Sequence, residues 1–299
     1  MTGNGGKNYG GHTMAGTLRR VMICPPKAAG WMDGEQTSRW RELSYYREPD
    51  FTTAEAQHAE LRRELEAAGA EVLLLAPGED LSLDAVYVHD ASFVTDFGAI
   101  GMHMGKPARR GEPALHAQFY ESQGIPMLGE IRSPGTAESG DIVWLDASTL
   151  LVGHGYRTND SGIDQLRAFL EPHGMDVFVA PLPHGPGPSV CLHLMSLISI
   201  IDERTALVDL PWLAVQTVQL LRQLNFKLIE IYPSERETMA CNVLALGERK
   251  LLALEENDKT NLRLRQEGFD VKTFYGTEIS QNGGGGPTCL TRPLLRRVE

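Results

Sequence analysis

A unit of β-hairpin, helix and strand recurs at intervals of about fifty residues in this chain. No other feature limits the fold as much, because one such unit cannot bury its apolar face alone and must pack against its neighbours. Four copies read in full: ASFVTDFGAIGM, EPALHAQFYESQ and IPMLGEI; DIVWLDASTLLVG, SGIDQLRAFLEPHG and MDVFVAPL; LMSLISIIDERTALVDL, PWLAVQTVQLLRQLN and FKLIEIY; NVLALGERKLLALE, NDKTNLRLRQEG and FDVKTFY. A fifth copy is split. VMICPP precedes the helix pattern TTAEAQHAELRRELEAAG and the run AEVLLLAP, and its missing hairpin strand is CLTRPLL from the other end. Joining the two ends closes a ring. The predicted fold is an α/β, five-fold pseudosymmetric propeller with sheets inside and helices outside.

Local chemistry supports each assignment. In DIVWLDASTLLVG two apolar runs flank Asp146, Ala147 and Ser148, which is a hairpin signal. From Ile163 the period changes to that of a helix, with Leu166, Phe169 and Leu170 apolar, Asn159 or Asp160 as the cap and Gly174 as the stop. Gly69, Gly124 and Gly268 end other helix patterns in the same way. Residues 17–299 are expected to form one propeller domain. The glycine-rich, polar residues 1–16 are expected to form a flexible tail.

A formal net charge of −11 disfavours a phosphate-tracking surface, so no nucleic-acid partner is expected. Four widely spaced cysteines, with no C-x-x-C pair and no secretory leader ahead of them, read as reduced thiols in a cytoplasmic protein. No apolar run approaches the roughly 20 residues of a membrane helix, and no membrane span is expected.

Reactive side chains stand where one unit hands over to the next. Cys289 follows GGGGPT, a run that lets a ligand approach the backbone closely, and so reads as a nucleophile; Cys24, Cys191 and Cys241 lie within strand patterns and read as core. His193 is placed to act as a base. Cys191 and His193 alternate onto one strand face that could hold a metal, but no third and fourth ligand accompany them, so no metal site is expected. Glu138 and Asp141, in a glycine-flanked loop, can hold a guanidinium or raise one another's pKa. Asp84, His89 and Asp90 form a similar group in LDAVYVHD, while Arg109, Arg110 and Arg157 offer bidentate partners for carboxylates.

Together DAVYVHD, GKPARRGEP, PGTAESGDIVWL, YRTN, LHL and GGGGPTCLTRP resemble the dimethylarginine dimethylaminohydrolase family, in the superfamily of arginine deiminases and amidinotransferases. The resemblance implies the five-fold propeller called the pentein fold and a hydrolase that acts on a small cationic guanidino amino acid through a Cys-thiouronium intermediate, without metal or organic cofactor. It implies Cys289 as nucleophile, His193 as general acid and base, and Glu138 with Asp90 as the carboxylates gripping the guanidinium. Arg109 and Arg157 would clamp the α-carboxylate, and Asp84 would add a contact from its loop. Two positions depart from the family pattern: His89 stands where Glu is common, and Met195 where Lys is frequent. An amidinotransferase, an arginine deiminase-type enzyme on another guanidino acid and a non-catalytic propeller binding protein are the alternatives. The sequence leaves open whether the chain acts alone or as a homodimer.

Overall fold

A computed structural model describes residues 6–78 and 81–298. β1 (Thr17–Ile23) leads through α1 (Gly34–Ser38) to α2 (Phe51–Ala67) and β2 (Glu71–Leu74). The next unit is β3 (Ser92–Thr95), β4 (Gly98–Gly101), α3 (Glu112–Ser122) and β5 (Met127–Glu130); after it come β6 (Ile142–Asp146), β7 (Thr149–His154), α4 (Asp160–Leu170) and β8 (Asp176–Pro181). Two more follow: β9 (Ile198–Asp202), β10 (Thr205–Val208), α5 (Val215–Gln223) and β11 (Lys227–Glu230), then β12 (Leu244–Gly247), β13 (Lys250–Leu254), α6 (Asp258–Gln266) and β14 (Asp270–Phe274). β15 (Arg292–Arg297) ends the series.

Among the described residues these strands make five three-stranded sheets, ordered β15-β1-β2, β3-β4-β5, β6-β7-β8, β9-β10-β11 and β12-β13-β14. In each, an antiparallel pair is followed by a strand parallel to the middle one. Parallel neighbours need a crossover, and a helix supplies it every time. The sheet of β15, β1 and β2 joins the chain's two ends, with Thr17 opposite Arg297 and Met22 opposite Arg292. This is the five-fold pseudosymmetric propeller that the repeat predicts.

The helices start and stop as their residues dictate. Asp50 caps α2 by accepting from Thr53 N at 2.6 Å, and Asn159 caps α4 by accepting from Gly162 N. Gly69, Gly124, Gly174 and Gly268 follow helices with φ between 67° and 88°, the left-handed stop that glycine makes without strain. α5 departs from this device and stops at Asn225, φ 60°, a residue type that tolerates the same region. On α2, Ala54, Gln57, His58, Leu61 and Leu65 are buried along one face. Burying a leucine such as Leu61 contributes about 1.5–3 kcal/mol. Among the described residues the apolar faces meet in four clusters.

One expectation needs correction. Residues 1–5 of the expected tail lie outside the described residues, but from Gly10 onward the segment is docked on the ring. Gly10 bridges to Leu295, Gly11 N donates to Asp96 Oδ1 at 2.7 Å, and the buried His12 ring stacks on Trp144 with centroids 4.1 Å apart. Sequence polarity misled here because the segment gains its partners from the hairpin turns. His12 Nδ1 donates to Ala147 O and its Nε2 accepts from Asp96 N, so both ring nitrogens are satisfied in the neutral imidazole. No helix among the described residues is long and apolar enough to cross a membrane.

Candidate active site

The residues just ahead of each hairpin send one side chain into a single cavity of about 590 Å³. Asp90 precedes β3, Glu138 precedes β6, His193 precedes β9, Asn242 precedes β12 and Cys289 precedes β15. The ring therefore collects five polar groups from five units.

Each lead-in is held by its own contacts. His193 does not begin a strand; it caps a turn at Leu194–Ser196, where its N–H donates to Ser196 Oγ at 3.2 Å. Asp141 fixes that turn by accepting from Leu194 N at 2.8 Å and from Thr158 Oγ1 at 2.6 Å. Burial raises the Asp141 pKa to about 6, against the pull of the His193 charge. Asp141 thus supports the site from behind, and the expectation that it contacts substrate is corrected. Gly140 lets the lead-ins approach one another, since a Cβ there would fall 2.3 Å from His193 Nδ1 and 2.7 Å from Asp90 Oδ1.

Cys289 follows a segment pinned at several points. Gln57 Oε1 accepts from the N–H groups of Glu278 and Ile279, while Glu278 accepts from Arg47 and Asn282. Gly285 packs on Tyr87: an added Cβ would lie 2.4 Å from the ring. Close packing, besides ligand access, therefore explains the glycine run. Asn242 Nδ2 donates to Cys289 Sγ at 3.2 Å, and its Oδ1 accepts from Thr288 N. The sequence reading missed Asn242, although its position ahead of β12 repeats that of the other four.

Electrostatics divide the groups. Burial works against charge on His193, but Cys191, Asp90 and Asp141 outweigh it and hold the imidazole pKa well above its ordinary value. Glu138 overcomes its own burial through the His193 hydrogen bond, 2.7 Å from Nε2, and through Arg157, and its pKa falls to about 2. Asp90 is also lowered, as His193 and Arg109 outweigh burial. Burial and then Asp90 push the Cys289 thiol up to about 12. The resting site is thus an imidazolium, two carboxylates and a neutral thiol. Asp90 Oδ1 is buried, has no hydrogen-bond partner and sits 3.6 Å from His193 Nδ1.

Other expected contacts are rearranged. Arg109 lines the cavity, but its guanidinium donates to Asp90 at 2.6 Å, to both oxygens of Glu112 and to Tyr87 O. These bonds take four of its five N–H groups, which leaves less of the guanidinium for the carboxylate clamp expected of it. Arg157 is freer: among the described residues its ion pair with Glu138 spans 3.6 Å. Asp84 lines the wall but is paired with Lys106 Nζ at 2.5 Å. His89 is turned behind the wall, where Nδ1 meets Thr291 O at 2.8 Å and burial lowers its pKa. The departure at His89 therefore changes a supporting contact; Met195 does line the cavity. Cys24 and Cys241 are buried as expected, whereas Cys191 is exposed on a loop at the cavity rim, its Sγ 3.5 Å from His193 Nδ1. Tertiary structure also supplies what the local spacing lacked, since Glu138 joins Cys191 and His193 as a third group of metal-binding type.

The family model for N,N dimethylarginine dimethylhydrolase, eukaryotic, matches residues 41–296. The uncharacterized protein YkgA of Bacillus subtilis is 29% identical over 286 residues, 95% of this chain and 94% of the relative. N(G),N(G)-dimethylarginine dimethylaminohydrolase of Streptomyces coelicolor is 31% identical over 232 residues, 76% of this chain and 80% of the relative. The solved dimethylarginine dimethylaminohydrolase of Pseudomonas aeruginosa, a cysteine-to-serine mutant complexed with citrulline, superposes with a TM-score of 0.73 at 25% identity, covering 92% of this chain and 98% of that one. With the family model matched over most of its length, the chain belongs to the dimethylarginine dimethylaminohydrolase family and has its pentein fold.

Proposed function

We propose that this enzyme hydrolyses the guanidino group of free arginine or an N-methylated arginine, giving citrulline and ammonia or an alkylamine. The observation that carries the reading is the buried, unpartnered Asp90 Oδ1 beside Glu138 and the Cys289 thiol. A buried carboxylate oxygen without a donor costs about 1–3 kcal/mol or more, and a planar cation with several N–H groups removes that cost. Arg157, which lines the cavity and reaches Glu138 only at 3.6 Å, takes the α-carboxylate.

A guanidinium carbon is a poor electrophile, and a thiol of pKa about 12 is a poor nucleophile. Substrate binding addresses both. The cation placed beside Sγ offsets Asp90 and lowers the thiol pKa, so the proton leaves to solvent as the substrate seats. Asn242 Nδ2 steadies the thiolate. Sγ then bonds to the guanidino carbon, and the neutral tetrahedral adduct expels its terminal amine as His193 delivers the proton it already carries. The covalent product is a thiouronium cation. His193, now neutral, removes a proton from water as the water oxygen attacks; the C–S bond breaks, the thiolate leaves, and the protonated urea loses its proton. Glu138 holds the imidazole in position through Nε2 for both half-reactions.

Screening arginine, its methylated forms, agmatine and other guanidino acids for ureido product and released amine tests the proposal. Citrulline formed together with an equal amount of amine is expected. Ureido product from none of them, or product only when an acceptor amine is added, would overturn hydrolysis.

A further inference from the structure

Two buried arginines take no part in the proposed chemistry. Arg292 and Arg296 stand four residues apart on β15, so both project to one face of the strand, toward the axis of the ring. Behind the catalytic cavity that axis holds two small cavities. One, of about 30 Å³, is lined by both arginines with His89, Met14, Gly10 and Gly11 among its walls. Its neighbour, of about 20 Å³, shares Arg296, His89 and Met14 and adds Thr288, whose buried Oγ1 has no partner. Among the described residues no Asp or Glu lines either one, and burial lowers the His89 pKa so that its ring stays neutral. We infer that Arg292 and Arg296 hold a monatomic anion, chloride in ordinary buffers, in the cavity they share on the ring axis.

The charges call for the ion. A cation taken out of water is stable only when it is paired. Arg292 Nη2 donates to His89 O at 2.6 Å and to Ser139 Oγ at 2.9 Å, but its Nε is buried without a partner. Arg296 Nη1 donates to Gly16 O at 2.6 Å and to Ala245 O at 2.8 Å. These bonds satisfy N–H groups and bring no negative charge. Burial lowers the Arg292 pKa to about 10, with Asp90 offsetting part of that cost although it is already paired with Arg109. Burial and then repulsion from Arg292 lower the Arg296 pKa to about 9. Both therefore remain cations at neutral pH. The size of the cavity selects the partner: a water needs roughly 10–15 Å³, so about 30 Å³ suits an ion little larger than water and not an oxyanion the size of sulfate. Water would fill the space and leave both charges unanswered. The ion's place also assigns its effect. Arg292 ties the lead-ins of Asp90 and Glu138 together through His89 and Ser139, and Gly10 to Met14 cover the opposite end. An anion that binds the closed ring and not the unfolded chain stabilises the ring by mass action. None of this depends on which reaction the catalytic cavity performs.

Bromide is the probe. Crystals of the full-length protein soaked in sodium bromide should show an anomalous peak beside the Arg292 and Arg296 guanidinium groups. In solution, replacing gluconate by chloride at constant ionic strength should raise the melting temperature along a saturating curve. At 100 times the dissociation constant the folding equilibrium should shift about 100-fold. Arg296→Met should remove that chloride dependence and Arg296→Lys should keep part of it. If Arg296→Met does not fold, the bromide peak and the chloride curve of the parent protein decide the matter together. A peak without a chloride-dependent melting temperature would mean an adventitious ion only and would overturn the site. So would a rise that does not saturate, or one that Arg296→Met leaves unchanged, since either is general salt action. Density for water alone, with no anomalous peak, would overturn it outright.

Discussion

The two ends of the hairpins come from one repeat and differ in how they treat buried polar groups. At the turn end, His12 uses both ring nitrogens on Ala147 and Asp96, and the buried Arg296 donates to the carbonyls of Gly16 and Ala245. These groups answer one another, and their work is to hold turns and termini together. At the lead-in end, Asp90 Oδ1 has no donor, Arg157 reaches Glu138 only at 3.6 Å, and the Cys289 thiol is held far from its usual pKa. Buried polar groups are normally paired, so the end that leaves them unpaired is the end that awaits a ligand. Stability and chemistry are thus separated along the hairpins.

Substitutions at the two ends should separate in the same way. Cys289→Ser should abolish citrulline formation, a loss on the order of 10⁶ when a nucleophile is taken from a catalytic unit. Its melting temperature should stay near that of the parent. A variant that keeps a tenth of the activity would place the nucleophile elsewhere. His193→Ala should lose about 10² to 10⁴ in kcat, the usual worth of general acid and base help. A loss below tenfold would mean that another group moves the proton.

Smaller effects sharpen the contrast. Arg157→Ala leaves the substrate carboxylate without a partner, which costs about 2 to 5 kcal/mol in a desolvated site. KM for the amino acid substrate should rise at least tenfold, and agmatine, which has no carboxylate, should be a poor substrate for the parent. Equal turnover of agmatine would break the assignment. Iodoacetamide mapping should show the exposed Cys191 labelled first in the free enzyme. Because the Cys289 pKa is raised to about 12, its proton stays on through neutral pH. Its labelling should then climb about tenfold per pH unit between pH 7 and 9. A plateau in that range would show a thiolate already formed at rest.

The turn end offers the smallest effect. His12→Ala removes two hydrogen bonds and a stacked ring, and should destabilise by about 1–3 kcal/mol while kcat/KM stays unchanged. Burial lowers the His12 pKa below that of the unfolded chain. The unfolded state therefore binds more protons as pH falls below about 6.5, and the parent loses stability there. That part of the pH dependence should be missing from the variant in urea unfolding. A change in kcat/KM instead would join the two ends that the structure separates.

Much of this was legible in the sequence because the fold repeats. Alternating strands and glycine-stopped helices are local signals, and counting units revealed that CLTRPLL completes the sheet of VMICPP. Partner choice was not local. The family resemblance gave Arg109 to a substrate carboxylate, but three-dimensional proximity also pairs it with Asp90 and Glu112. Asp141 and His89 lie one or three residues from groups on the cavity wall and face away from it, since lead-ins that turn so sharply send adjacent side chains to different sides. Asn242 was legible by analogy: four lead-ins had been read for chemistry, and the fifth occupies the same place. His12 was hidden because its partners, Trp144, Ala147 and Asp96, belong to other units.

Ring closure also sets the order in which function can arise. Cys289 precedes the strand whose hairpin partner is β1, at the other end of the chain. That contact spans nearly the whole sequence, so its loop-closure entropy is among the largest the fold must overcome. Asp90, Glu138 and His193 come from units whose strands pair locally, but His89 and Ser139 tie two of their lead-ins to the last segment. The thiol joins them only when the first and last strands meet. With that seam open the site has no nucleophile, and the lead-ins of Asp90 and Glu138 lack the bonds that His89 and Ser139 make to Cys289, Thr291 and Arg292. The appearance of catalysis during refolding is therefore a direct clock for closure of the ring.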